Sequence, residues 1–160
     1  MVYDEIMRTL RQKGVPFTIH KHEPVMTMQD VEEKLPFPKE KLLKTLVFKI
    51  RNSFWILAVV KGQDKVDYHK LASSFGVNLD ALVRPSAEEM ESELGFQIGG
   101  ICPIPTNDSI KAVFDNDILD MEVVYCGVGR NDRSLEIRLQ DLLHISNARV
   151  WPIAHEKHHF

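Results

Sequence analysis

The residues in this chain best suited to chemistry are a lysine inside a strand and two glycine-rich turns. In LKTLVFKI, residues 43–50, a period of two puts Lys44 on the face of Leu46, Phe48 and Ile50, while Leu43, Thr45, Val47 and Lys49 share the other. An ammonium at the edge of an apolar face has two readings. It can snorkel, with its stem on the core and its head in water. Alternatively its charge stands beside a pocket, where a lower dielectric strengthens its pull on an anion or a polarised carbonyl. In GFQIGGICPIP, residues 95–105, the adjacent Gly99 and Gly100 allow close ligand approach to the backbone that side chains would block. Peptide N–H groups in such a turn can form an oxyanion hole or hold a carboxylate or phosphate. A plain structural turn is the alternative. If the turn is a site, a methyl group on Gly100 should obstruct ligand more than it disturbs the fold. A second cluster, Cys126-Gly127-Val128-Gly129, ends an apolar strand and could form another pocket wall. Cys126 has no evident activating partner and reads as a buried, inert thiol.

Other chemistries leave no trace. The chain has no P-loop, no GxGxxG after a strand, no HExxH and no GxSxG. His20 and His22 share one strand face, but no third ligand sits at convincing spacing for zinc. The closing HEKHHF reads as a solvated end. No metal and no cofactor is expected.

The elements that must position these groups alternate irregularly. Residues 3–13 carry Ile6, Met7 and Leu10 on one helical face, closed by Gly14. FTIHKH reads as a short strand, and 27–35 as a helix capped by Thr27 and broken by Pro36 and Pro38. LLKTLVFKI and FWILAVVK follow, joined by Arg51-Asn52-Ser53 as a tight hairpin. The second of these is apolar on both faces, so a central place in the sheet is expected. Asp67 is a cap for a helix to Phe75, and Ser86 with Glu89 forms a capping box for a helix to Leu94. Strands KAVFD, VVYCG and SLEIRL, then QDLLHIS and ARVWPIA, complete the chain. The expected fold is α+β, a single domain over 1–160 around one mixed, strongly curved, barrel-like β-sheet flanked by helices.

At 160 residues, 44% hydrophobic and 27% charged, the chain has the composition of an ordinary soluble domain. No apolar run approaches the roughly 20 residues that span a bilayer. The amphipathic start MVYDEIMRTLRQK does not read as a secretory signal, and two cysteines outside any CxxC pair do not suggest a disulfide framework. A cytoplasmic location is the expectation, with neither membrane nor DNA as partner. The net charge is only −3, yet residues 34–70 carry 9 basic and 3 acidic side chains, around Lys44, against 7 and 14 after residue 70. That asymmetry suggests a local anionic partner; chance clustering of surface lysines is the alternative.

Taken in order, KTLVFKI, the apolar strand leading to VKGQDKVDYHKLA, GFQIGGICPIP, a strand ending in glycine and a closing LQDLL resemble the YbaK/prolyl-tRNA-editing-domain family. The resemblance runs from about Pro16 to Ala154. It implies a trans-editing aminoacyl-tRNA deacylase, which hydrolyses the ester joining a wrong amino acid to tRNA without a metal. The acceptor end of aminoacyl-tRNA is the implied partner, with an aminoacyl-tRNA synthetase as a further candidate. Carried over residue by residue, the family's essential lysine falls on Lys44 and its glycine-rich loop on Gly99 and Gly100. Cys126, Gly127 and Gly129 fall at its substrate-contacting wall. His22, Thr45 and Ile101 are expected to complete the substrate-binding set. The tyrosine that some members carry after the first strand is absent, and Cys126 replaces the serine of cysteine-specific members, which leaves the amino acid open.

An aminoacyl ester is already reactive, so orienting water and stabilising the oxyanion would suffice. The resemblance and the residues together give Lys44 the charge at the terminal adenosine or ester, and the Gly99–Gly100 N–H groups the carbonyl. The sequence offers no obvious general base. The rival from another class is a non-catalytic binding module that holds an aminoacyl-tRNA end or small metabolite on the same fold.

Overall fold

The computed structural model describes residues 2–156, so the last four residues of the HEKHHF tail lie outside the described part. Helix α1 (Val2–Lys13) buries Tyr3, Ile6, Met7 and Leu10, the stripe its apolar spacing dictates. Strand β1 (Phe17–Lys21) follows, then α2 (Met28–Lys34), whose first turn is closed by the Thr27 hydroxyl accepting from the Asp30 N–H. Strands β2 (Leu43–Ile50) and β3 (Trp55–Lys61) form the expected hairpin, with Asn52 at φ 58° in its turn. Asp67 caps α3 (Tyr68–Ser74) and Ser86 caps α4 (Ala87–Leu94), each through its side-chain oxygen. Strand β4 (Leu82–Val83) lies between them. Strands β5 (Ile110–Asp115), β6 (Val123–Gly127) and β7 (Arg133–Arg138), helix α5 (Leu139–Ile145) and strand β8 (Arg149–Trp151) complete the order.

The architecture is α+β with mixed strand directions, but the strands divide into two sheets instead of one. β1, β7 and β6 make a three-stranded antiparallel sheet, and β4-β2-β3-β5-β8 a five-stranded mixed one. Neither strand order closes on itself, which departs from the barrel-like expectation. A bridge between Leu42 and Tyr125 joins the two sheets. β3 is central as its two apolar faces require, antiparallel to β2 and parallel to β5.

The five-stranded sheet separates two cores. Phe48, Ile50, Ile56, Ala58 and Val60 pack with Leu71 and Ile153 on the face Lys44 shares. Leu43, Val47, Trp55, Leu57 and Val59 pack on the other, with α1, α4 and α5. The face of β2 that looks mixed in sequence is thus buried in the larger core, and its one charge, Lys49, holds its ammonium 4.8 Å over the Trp55 ring. Each fully buried Phe, Ile or Leu stabilises such a core by roughly 1.5–3 kcal/mol. No helix among the described residues is long and apolar enough to cross a membrane.

Candidate functional site

At the seam between the sheets opens a cleft of about 250 Å³. The start of β2 supplies Leu43, Lys44, Thr45 and Leu46, the end of β6 supplies Tyr125, Cys126 and Gly127, and β7 supplies Ser134. The α2 segment covers it with Met26, Met28 and Val31, and the glycine loop contributes Ile98, Gly99 and Ile101.

Three loops are laced together to shape this wall. The Val25 N–H donates to the Asn131 carbonyl and the His22 N–H to that of Asp132; the Gly129 N–H donates to the Gly100 carbonyl and the Gln97 N–H to that of Gly129. Backbones this close leave no room for side chains. A Cβ on Gly99, whose φ of 87° already favours glycine, would stand 1.9 Å from the Val25 carbonyl oxygen. One on Gly100 would stand 2.3 Å from the Arg130 carbonyl carbon.

Of the residues expected from sequence, Lys44, Thr45, Gly99, Ile101, Cys126 and Gly127 come together on the cleft. Gly100 and Gly129 stand behind it. The Gly100 N–H is engaged by the Gln97 carbonyl at 2.9 Å and cannot also hold a substrate oxygen, and Gly129 packs against Val2 and Ile6 of α1. His22 reaches the cleft only through Ser134, whose Oγ lies 2.8 Å from its Nε2.

Lys44 is half-buried and its ammonium donates to the Asp64 carbonyl. Burial pushes its pKa below the ordinary lysine value; the Asp64 charge opposes that and Lys65 adds to it. Lys44 also borders a second groove, with Lys65, Tyr68, His69 and His155, so the residue stands between the two openings. The Thr45 hydroxyl is buried in the cleft wall with no hydrogen-bond partner among the described residues. Burial raises the pKa of Cys126 well above the ordinary thiol value, with Cys102 adding to the effect; Cys102 itself is pushed up to about 12. Cys126 is therefore a small neutral wall residue at neutral pH, not a nucleophile.

Sequence reasoning missed the aromatic side of the cleft. Phe37 stacks on Tyr125 with ring centroids 4.5 Å apart, and His20 meets both rings. Only the placement of Phe37 between two prolines hints at a fixed aromatic. His20 and His22 are engaged separately, His20 Nε2 with Glu136 at 2.8 Å and His22 Nε2 with Ser134, so the pair does not converge on a metal. Among the described residues, Asp64, Asp115 and Asp117 bring carboxylate oxygens within 4.8 Å of one another. The Asp115 carboxylate is already engaged there by the N–H groups of Ile153, Ala154 and Asp117.

With this geometry, the chain's similarities bear on the site. Its residues 22–145 match the model of the aminoacyl-tRNA editing domain. It is 31% identical over 137 residues to a proline–tRNA ligase of Thermosipho africanus, covering 85% of this chain but only 22% of that ligase. A protein of Enterococcus faecalis named "Putative Cys-tRNA(Pro)/Cys-tRNA(Cys) deacylase EbsC" is 22% identical, with 89% of this chain and 88% of that one covered. In three dimensions the fold matches the "Crystal structure of a putative trans-editing enzyme for prolyl tRNA synthetase" with TM-score 0.81 and 21% identity, over 97% of this chain and 98% of that one. The editing-domain match takes in the β2 lysine, the glycine loop and the β6–β7 wall in one continuous stretch, and the chain belongs to the aminoacyl-tRNA editing domain family.

Proposed function

We propose that the protein is an aminoacyl-tRNA deacylase acting in trans, one that hydrolyses the ester between a wrongly attached amino acid and the tRNA end. The observation that carries this reading is Lys44: a half-buried ammonium bordering a cleft whose lining includes the side-chain-free backbone of Gly99. In such a setting a fixed cation stabilises negative charge developing on an ester oxygen more strongly than in water.

Lys44 meets the phosphate or ester end of the terminal adenosine. The wall at Gly99 and Ile101 lies against the aminoacyl carbonyl, a role that the engaged Gly100 N–H leaves to its neighbours. Thr45, Cys126 and Gly127 border the amino-acid side chain, and His22 supports that wall through Ser134. Among the described residues the lining holds no carboxylate, so an uncharged side chain suits it better than a basic one. The basic stretch 34–70 receives the acceptor end, and an aminoacyl-tRNA synthetase is a candidate partner for delivery. The reaction as assigned calls on no metal.

Incubating the purified protein with a panel of misacylated tRNAs tests the assignment. Loss of ester above the buffer rate for at least one of them is the expected result. Binding to the acylated ends with no loss of ester on any member overturns hydrolysis in favour of a binding module.

A further inference from the structure

The cleft contains a hydroxyl whose proton has somewhere to go. His22 Nδ1 lies 2.7 Å from the Glu23 carbonyl oxygen, and His22 Nε2 lies 2.8 Å from Ser134 Oγ. A carbonyl only accepts, so Nδ1 must carry the ring proton whenever His22 is neutral. Nε2 then bears the lone pair, and Ser134 donates to it. Ser134 is buried on β7 and opens on the cleft, whereas His22 stands behind it. Neither position is marked as a proton acceptor by its sequence context, because 112 residues separate them.

The pairing follows from the sheet. Ser134 lies directly opposite His20 in the β1–β7 register, and His22, two residues beyond His20 on the same face, reaches diagonally back to it. His20 makes the same diagonal step to Glu136, which keeps that second imidazole out of the way. The Phe37 ring lies 6.4 Å from the His22 ring in an edge contact and the Glu23 carbonyl meets its Nδ1. The charged neighbours are the His20–Glu136 pair on the same sheet face, with Lys44 and Tyr125 lining the same cleft as Ser134.

We propose that Ser134 and His22 form the proton relay of the deacylation assigned above, and the inference rests on that assignment. Water attacks the aminoacyl carbonyl carbon, forming the new C–O bond. The water proton passes to Ser134 Oγ as the Ser134 proton passes to His22 Nε2. When the tetrahedral intermediate collapses, the bond to the ribose oxygen breaks, and the imidazolium returns a proton through Ser134 to that oxygen. Free amino acid and tRNA leave, and both side chains are restored. Ser134 is the catalytic residue of the pair; His22 acts through it. General acid–base catalysis of this kind contributes roughly 10²- to 10⁴-fold.

The test is single-turnover deacylation, on the misacylated tRNA that the wild type hydrolyses fastest, by Ser134→Ala, His22→Gln and the double variant across a range of pH. The relay predicts a loss of about 100-fold or more in each single variant. It predicts a double variant no slower than the worse single one, and an acid limb of the wild-type pH profile that His22→Gln abolishes. Ser134→Ala removes one oxygen from a strand position and His22→Gln alters a side chain near the surface, so thermal melting should confirm both folds. Single variants within about 3-fold of wild type, or losses that multiply in the double variant, overturn the relay and leave the deacylase assignment standing. A wild type that hydrolyses none of the panel overturns both.

Discussion

The Lys44 ammonium lies 2.5 Å from the backbone carbonyl oxygen of Asp64, twenty residues later in the chain. This hydrogen bond explains why a lysine begins an apolar strand face. The head is drawn neither fully into water nor into the core; it is tied at the boundary between the cleft and the neighbouring groove. A charge fixed in this way needs little reorganisation when a substrate oxygen becomes negative, which is the property an electrostatic catalyst requires.

Burial of Lys44 has a consequence for stability. Its pKa in the folded protein is lowered from 10.5, so between the folded value and 10.5 the unfolded chain holds more protons. Stability therefore rises with pH through that window, and the penalty of the buried charge is fully present below it. Lys44→Met removes the penalty. Melting temperatures should rise for wild type relative to Lys44→Met as pH climbs from neutral toward 10.5. Parallel curves would mean that Lys44 is not desolvated.

Gly100→Ala should damage the fold. Its new methyl would stand 2.3 Å from the Arg130 carbonyl carbon and 2.4 Å from the carbonyl oxygen, both backbone atoms. The expected loss is on the scale of overpacking, roughly 1–3 kcal/mol or more, visible as a lower melting temperature. This reverses the expectation from sequence that a methyl there would mainly obstruct ligand. A variant with wild-type stability and abolished activity would mean that the methyl meets ligand after all.

Acid should uncouple the Glu136 cluster. The hydrogen bond from His20 holds the Glu136 carboxyl below its ordinary 4.5, with Tyr125 and Lys41 contributing and burial opposing. The stability this contributes is present above pH 4.5 and is lost as pH falls through the lowered folded value. The melting-temperature gap between wild type and Glu136→Gln should thus be constant near neutrality and close in acid. A gap that widens in acid contradicts the pairing.

Much of this is legible in the sequence because it is local. Thr27, Asp67 and Ser86 announce their caps within three residues, and the double-sided apolarity of WILAVVK announces a central strand. Lys44 and Gly99 stand out because each breaks its local pattern. What stays hidden is long-range. The pairing of β1 with β7 joins Phe17 to Ile137, so a separate antiparallel sheet cannot be told from a continuation of the first. The His22–Ser134 bond depends on that pairing and is hidden with it, and the Phe37–Tyr125 stack likewise joins segments far apart in the chain. Gly100 looks like its neighbour in sequence; only the Arg130 backbone distinguishes them.

Salt dependence should locate the RNA. Lys39 and Lys41 are exposed on the short turn that leads into β2, beside the Phe37 side of the cleft. Arg133 is already held over the Tyr3 ring and near Asp132. Charge reversal at Lys39 and Lys41 should flatten the plot of log affinity for tRNA against log salt, by roughly one unit for each phosphate no longer neutralised. Reversal at Arg133 and Arg138 should change it little. The opposite ranking would bring RNA in from another side.

The most direct measurement is the single-turnover rate of ester hydrolysis on a misacylated tRNA, wild type against Lys44→Ala, with melting temperatures taken in parallel. The account predicts a loss of at least ~100-fold in rate, the scale of losing one preorganised electrostatic stabiliser, in a variant that still melts in one cooperative transition. A folded Lys44→Ala protein that hydrolyses the ester at the wild-type rate would contradict it.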